Sequence, residues 1–341
     1  MAVISSTCSG VLEDECCFPE TCTAPRTMCS FSNMRAMSPC LAVMVACAHL
    51  VLASSALAQG RVQIVTTTTD LRSLVEAVGG DRVEAISLVP AAMDAEEYQP
   101  KPQDLLRLKN ARLLVRVGLD YDLWLDRLLT QTDNPDVRRG SAGYIDASLG
   151  IPVLEVRGMS VGPNDGHAHG NGNPHYWLDP RNAEIITSAI LETLARRDPT
   201  NVATYEANRL AFLARLETKL PEWETNLAPL KATPLVAHHN SWPYFARRFR
   251  LDFAGFLETK PGVPPSPSHL AALLRTMRAR AVRIVIREPY QPERDVAFVA
   301  GKVGAAVVTL AASVGALPQT DDFFSLFDRD VEALRGAASA E

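Results

Sequence analysis

Four polar residues stand where a strand should give way to a loop: Glu96 in DAEEYQPKPQD, His175 in NPHYWLDP, His239 in VAHHNSWPYF and Glu288 in IVIREPY. Two imidazoles with a carboxylate make a donor set suited to a borderline divalent ion, which takes nitrogen and oxygen ligands together. Taken singly, each could equally be an ordinary solvated loop residue; the shared placement is what sets His175 and His239 apart. His238 competes with His239 for one role, because neighbours on a strand point to opposite faces. His269, after Ser266-Pro267-Ser268, reads as a half-exposed residue at a helix start. His167 and His169 lie in a GHAHG stretch, where they could catch a metal in passing or be plain loop residues.

Other chemistries find little support. There is no P-loop, glycine-rich dinucleotide turn, HExxH or G-x-S-x-G pattern. Ser241 lacks the flanks of a nucleophile elbow. Glu96 and Glu288 as a glycosidase pair would need aromatic platforms that the sequence around Glu96 does not offer. No catalytic residue is assigned.

The elements that must position these residues follow from periodicity. Strands are expected at 62–67, 83–89, 113–117, 152–155, 234–238, 252–256, 282–287 and 306–310, as short apolar runs. Asp70 should cap a helix carrying Leu71, Leu74, Val75 and Val78, stopped at Gly79-Gly80. Further helices are expected from Pro102 to about 109 and at 121–129, 242–248, 267–279, 292–303 and 321–335. Asp179-Pro180 and Asp198-Pro199 mark two more helix starts. The second opens a long pattern, 199–228, with Val202, Tyr205, Leu213, Leu216, Leu220, Trp223 and Leu227 at near-helical spacing and Pro221 to kink or divide it. Between 158 and 173 the chain is rich in Gly, Asn and His and should form a mobile surface loop beside the cleft.

Strand–helix alternation on both sides of the long segment implies an α/β class with mainly parallel sheets. The boundaries are an N-terminal α/β lobe at 59–198, a rigid connecting helix at 199–228 and a C-terminal α/β lobe at 229–341. Ligands of open α/β sheets sit beyond the C-terminal strand ends, which places the site in the cleft between the lobes.

Residues 34–58 read as a signal peptide, an apolar run ending in Ala56-Leu57-Ala58, with cleavage before Gln59. Residues 1–33 then read as a mis-called start or an extension. All 7 cysteines precede Gln59, so the exported chain would hold no disulfide or thiolate site. A net charge of −5 without a basic block speaks against nucleic acid, and no second long apolar run suggests a stable membrane anchor.

Five stretches, DAEEYQPKPQDLLRLKNA, NPHYWLDPRNAEII, DPTNVATYEAN, AHHNSWPYFARRFRL and KPGVPPSPSHLAAL, carry a resemblance to the cluster-9 solute-binding proteins of ABC transporters, the zinc-uptake or TroA-like family. The resemblance spans about 61–337. It implies two α/β lobes joined by one long helix and an ion held between them. It also implies a periplasmic monomer, no enzymatic activity, and delivery to an ABC permease with its cytoplasmic ATPase. Zinc is the implied cargo, with manganese or iron as alternatives. A metal chaperone, an adhesin-like protein and a degenerate binder of another solute are the remaining readings.

Residue by residue, His175 and His239 match the family's second and third ligands. Glu96 stands where the family's first motif has histidine. The usual fourth ligand, an Asp after the last strand, falls on Ala311 or Ala312 in VVTLAASVG. Glu288 matches a family glutamate near the site that could be recruited instead. A Glu for His exchange makes the site harder and narrows its advantage for zinc, whereas histidine at the third position leans toward zinc.

Overall fold

The structure is a computed structural model that describes residues 60–155, 171–259 and 262–339. The expected signal peptide, the 1–33 segment, His167 and His169 lie outside the described residues.

Two four-stranded parallel sheets organise the chain. The first contains β1 (Val62–Thr66), β2 (Val83–Ser87), β3 (Leu113–Arg116) and β4 (Tyr144–Asp146), in the order β2-β1-β3-β4. The second contains β5 (Pro234–Ala237), β6 (Asp252–Phe256), β7 (Ile284–Arg287) and β8 (Ala306–Thr309), in the order β6-β5-β7-β8. The two lobes therefore repeat one topology. In each, the strand order reverses beside the first strand, which opens a crevice at the C-terminal ends of β1 and β3, and of β5 and β7. The central strands LLVR and IVIR are buried along nearly their whole length, as a sheet covered on both faces requires.

The fourth strand corrects the sequence reading. Residues 152–155 form no strand, and β4 lies at 144–146 instead. Its three-residue YID pattern is too short for periodicity to reveal, and its pairing with β3 decides it.

Helices α1 (Thr69–Gly79), α2 (Pro102–Asn110), α3 (Trp124–Gln131) and α4 (Asn182–Arg197) cover the first sheet. Asp70 does not cap α1. The cap is Thr68, whose hydroxyl accepts from Leu71 N, and Asp70 is a buried residue of the first turn. Helix α5 (Val202–Leu227) runs unbroken through Pro221. It buries Tyr205, Phe212, Leu216, Leu220, Trp223 and Leu227 on one stripe. In the second lobe α6 (Pro243–Phe249), α7 (Pro267–Ala279), α8 (Glu293–Gly301) and α9 (Phe323–Ser339) follow.

The long helix packs against α1 and α4 of the first lobe and against α9, the last helix of the chain. Phe212 meets Phe324 at 4.9 Å between ring centres, and Trp223 meets Phe327 at 5.1 Å. One hydrophobic core consequently runs from Ile64 in β1 to Leu334 in α9. Polar ties cross between the halves as well. Asp70 accepts from Val314 N at 2.9 Å, Ser73 accepts from Phe323 N at 3.0 Å, and Arg248 pairs with Asp179 at 2.7 Å.

Candidate metal centre

Glu96 sits on the loop after β2, and its placement is built from neighbours. Asp94 Oδ1 accepts from Glu96 N at 2.8 Å, closing a tight turn. The turn is pinned at its back: Trp124 Nε1 donates to Ala95 O at 2.9 Å, and the buried Tyr98 donates its hydroxyl to Asp104 at 2.7 Å. Asp104 also accepts from Lys101 N at 2.7 Å, which couples the loop to the start of α2.

His175 leads into a single helical turn, Tyr176–Leu178, and is 4% exposed. Its Nδ1 lies 3.1 Å from Asn173 Oδ1, an acceptor, so Nδ1 carries the proton and Nε2 is left to bind a cation. Tyr121 and Trp177 wall the ring at 5.2 and 5.3 Å between ring centres. Asn173 is itself buried. Its amide donates to Glu155 at 3.0 Å and to Asn240 O at 2.9 Å, and its carbonyl accepts from Tyr244 Oη at 2.8 Å. Of the expected 158–173 loop only 171–173 lie among the described residues, and they do not all lie at the surface. Its last residue is a keystone beside His175, because a side-chain amide with this many partners is cheap to bury.

His239 follows β5 and is 3% exposed. Its Nδ1 donates to Glu258 Oε2 at 2.8 Å, which orients the other nitrogen toward His175. The two rings are 5.3 Å apart between centres. Glu258 stands just after β6, and its backbone N donates to His238 O at 2.8 Å. Burial alone would hold the His239 imidazolium down. The Glu258 hydrogen bond and the charges of Glu288 and Glu96 outweigh it and push the group up to about 9.

The three residues converge. One donor atom each from Glu96, His175 and His239 lies within 4.8 Å of the others, and His175 Nε2 is 3.8 Å from Glu96 Oε1. Donors around a single ion of this class lie on the order of 3.3 Å apart at metal distances near 2.0 Å. The set needs only small side-chain shifts to close on a cation. Two loops of the first lobe and one of the second supply it.

Glu288, after β7, is buried and lies outside that three-residue group. Its carboxylate accepts from Ser241 Oγ at 2.5 Å and from the Tyr290 hydroxyl, and burial raises its pKa against the opposing pull of His239. Ala311 and Ala312 are buried in the loop after β8 and present no oxygen from their side chains. That loop is held by its backbone: Ala311 N donates to Asp330 at 2.9 Å, and Ala312 O accepts from Trp177 Nε1 at 2.8 Å. Asp94 borders the centre, and burial followed by the charge of Glu96 raises its carboxyl to about 7.

Sequence reasoning passed over Glu258, Asn173 and Asp94. Glu258 follows an expected strand by two residues, which was a usable signal. Asn173 had none, since an Asn in a Gly-rich segment reads as loop.

Comparisons with known proteins bear on the same arrangement. The sequence profile of the family described as zinc-uptake complex component A, periplasmic, matches residues 64–337. The manganese ABC transporter substrate-binding lipoprotein PsaA of Streptococcus pneumoniae is 26% identical over 273 residues, 76% of this chain and 84% of that protein. The iron ABC transporter substrate-binding lipoprotein MtsA of Streptococcus pyogenes serotype M1 is 25% identical over 227 residues, 64% of this chain and 69% of that protein. The crystal structure of ZnuA superposes with a TM-score of 0.70 at 30% identity, covering 82% of this chain and 100% of that one.

Proposed function

As the chain belongs to the family of periplasmic zinc-uptake complex component A, we propose that it is a solute-binding protein of an ABC transporter that captures zinc between its lobes, with Glu96, His175 and His239 as ligands. The observation that carries this reading is the convergence of three donor atoms from both lobes to within 4.8 Å. Each imidazole is oriented by an acceptor on its far nitrogen, the arrangement that fixes a metal-binding tautomer. Two neutral imidazoles with one carboxylate favour zinc over harder ions. The relatives named for manganese and iron keep those cargoes as the second reading, and the carboxylate at Glu96 is the feature that favours them.

Glu288 is proposed as the fourth ligand, reached by rotation away from Ser241, with water as the competing occupant. His167 and His169 are proposed to assist capture. The loaded protein works in the periplasm as a monomer, docks on a membrane permease driven by a cytoplasmic ATPase, and performs no chemical conversion. Residues 59–198 and 229–341 act as the two lobes, with 199–228 as the connecting helix.

Elemental analysis after gentle purification tests the reading, together with calorimetric titration of zinc, manganese and iron(II). One tightly bound equivalent of zinc, taken in preference to the other metals, is expected, and it should be lost in His175→Ala and in His239→Ala. Full zinc binding by both variants would place the centre elsewhere.

A further inference from the structure

A second cavity of about 300 Å³ adjoins the candidate centre, lined among others by Asp94, Glu97, His238, Glu258, Tyr290 and Asp295. His238 faces it because alternation along the end of β5 sends His239 the other way. The ring is only 6% exposed, yet its Nδ1 has no hydrogen-bond partner among the described residues. Buried polar atoms are paired in the great majority of cases, so an orphan of this kind calls for a cause. The nearest carboxylate oxygen, Glu258 Oε2, is 4.0 Å away, too far for a hydrogen bond. It is close to the separation, on the order of 3.3 Å, of two donors on one zinc-like ion.

The same Glu258 oxygen receives the His239 hydrogen bond at 2.8 Å. One carboxylate thus faces both the centre and the cavity. Four carboxylates line the space, those of Asp94, Glu97, Glu258 and Asp295, and no Lys or Arg is among its described lining residues. Asp94, Asp295 and Tyr290 keep contact with solvent, so the cavity has a mouth. The opposite wall is kept thin by Gly262, where φ is +66° and a Cβ would collide with the Glu97 carboxylate.

We propose that His238 and Glu258, with Asp94 and Asp295 at the mouth, form a second and weaker divalent-metal site through which the cargo passes into the His175–His239 centre. The proposal rests on the functional reading above. A cation entering the acidic mouth is attracted by the carboxylates, takes the free nitrogen of His238, and shares Glu258 with the inner site. Its transfer inward returns Glu258 to His239. No bond other than metal coordination is made or broken.

Native mass spectrometry and stopped-flow mixing with zinc chloride test it on the exported protein. The parent should load a tight equivalent and a second, weaker one, because the outer site offers a single imidazole where the inner offers two. His238→Ala should lose the weaker equivalent and should take up the tight one about tenfold more slowly, because the nitrogen that receives the cation at the entry is gone while the acidic lining is kept. His238→Asp, which returns a donor, should recover part of both effects. If His238→Ala fails to fold by circular dichroism, Asp295→Asn carries the same rate measurement from the rim. A parent that binds one equivalent only, or a His238→Ala protein that matches the parent in stoichiometry and rate, overturns the second site and leaves the inner one standing. A parent that binds no zinc tightly overturns both.

Discussion

At the scale of the residue, His239 carries the clearest consequence. Its imidazole is raised to about 9, with burial opposing the shift and Glu258, Glu288 and Glu96 producing it. Below that value the metal-free ring holds a proton that zinc must displace. Affinity should therefore climb by about tenfold per pH unit between 7 and 9 and flatten above. Calorimetry in buffers of different ionisation heat should show about one proton released per zinc at pH 8. Glu258→Gln keeps the shape and removes the charge. It should abolish most of that proton release and weaken zinc binding by about 10- to 100-fold, the usual cost of losing a group that orients a ligand. An unchanged pH profile in Glu258→Gln would show that another group holds the proton. The stability of the metal-free protein has a definite sign. A folded-state pKa raised above the unfolded 6.5 stabilises fully below 6.5, and the benefit is lost as pH rises through 9. Differential scanning calorimetry of metal-free protein should thus give a lower melting temperature at pH 9 than at pH 6.5.

Elements add constraints that single residues lack. The 311–315 loop after β8 is tied on one side to Asp330 and on the other to Asp70. Burial raises the Asp70 carboxyl to about 7, with its hydrogen bonds pulling the other way. Ionisation of Asp70 therefore costs stability progressively as pH rises from about 4 to 7. Asp70→Asn keeps an acceptor for Val314 N and cannot ionise, so its melting temperature should gain on the parent at pH 8 and not at pH 4. Equal differences at the two pH values would remove Asp70 from the account. The long helix depends on its aromatic stripe. Trp223 is 1% exposed, lies 5.1 Å from Phe327 between ring centres, and donates Nε1 to Asp328 at 2.7 Å. Trp223→Ala should cost about 3–5 kcal/mol in urea unfolding, the range for emptying a large aromatic site.

For the whole molecule, the continuous core and the ties across the cleft limit opening. Tyr244 spans the halves, donating to Asn173 O at 2.8 Å and accepting from Leu154 N at 3.0 Å. Arg248 holds Asp179, and Glu155 accepts from Asn240 at 2.9 Å. A wide hinge would have to break all of these and expose part of the core. Metal exchange should proceed by small rotations and loop shifts. X-ray scattering should then give radii of gyration that agree within about 1 Å between metal-free and zinc-loaded protein, against several ångströms for a clamshell opening. Zinc at a thousand times its dissociation constant should stabilise the protein by about 4 kcal/mol through mass action, and His175→Ala should erase most of that thermal shift.

Local pattern was enough for much of this. Apolar runs and helical spacing located seven of the eight strands among the described residues and the long helix, because burial leaves its period in the sequence. The placing of Glu96 and His239 in loops after β2 and β5 was legible, since parallel α/β sheets present such ends to one cleft, whereas among the described residues His175 follows no strand directly and instead precedes the turn Tyr176–Leu178. Other features required the packed chain. The loop after β6 shows the difference: Glu258 there orients His239 only because β5 and β6 pair side by side. Asn173 reaches Asn240 across 67 residues, and Asp70 reaches Val314 across 244. Such pairings leave no periodic trace, because each is one contact between residues whose own neighbourhoods are unremarked. Periodicity reports which face of an element leaves water, whereas the partner met on that face is chosen when the two lobes close on a common core.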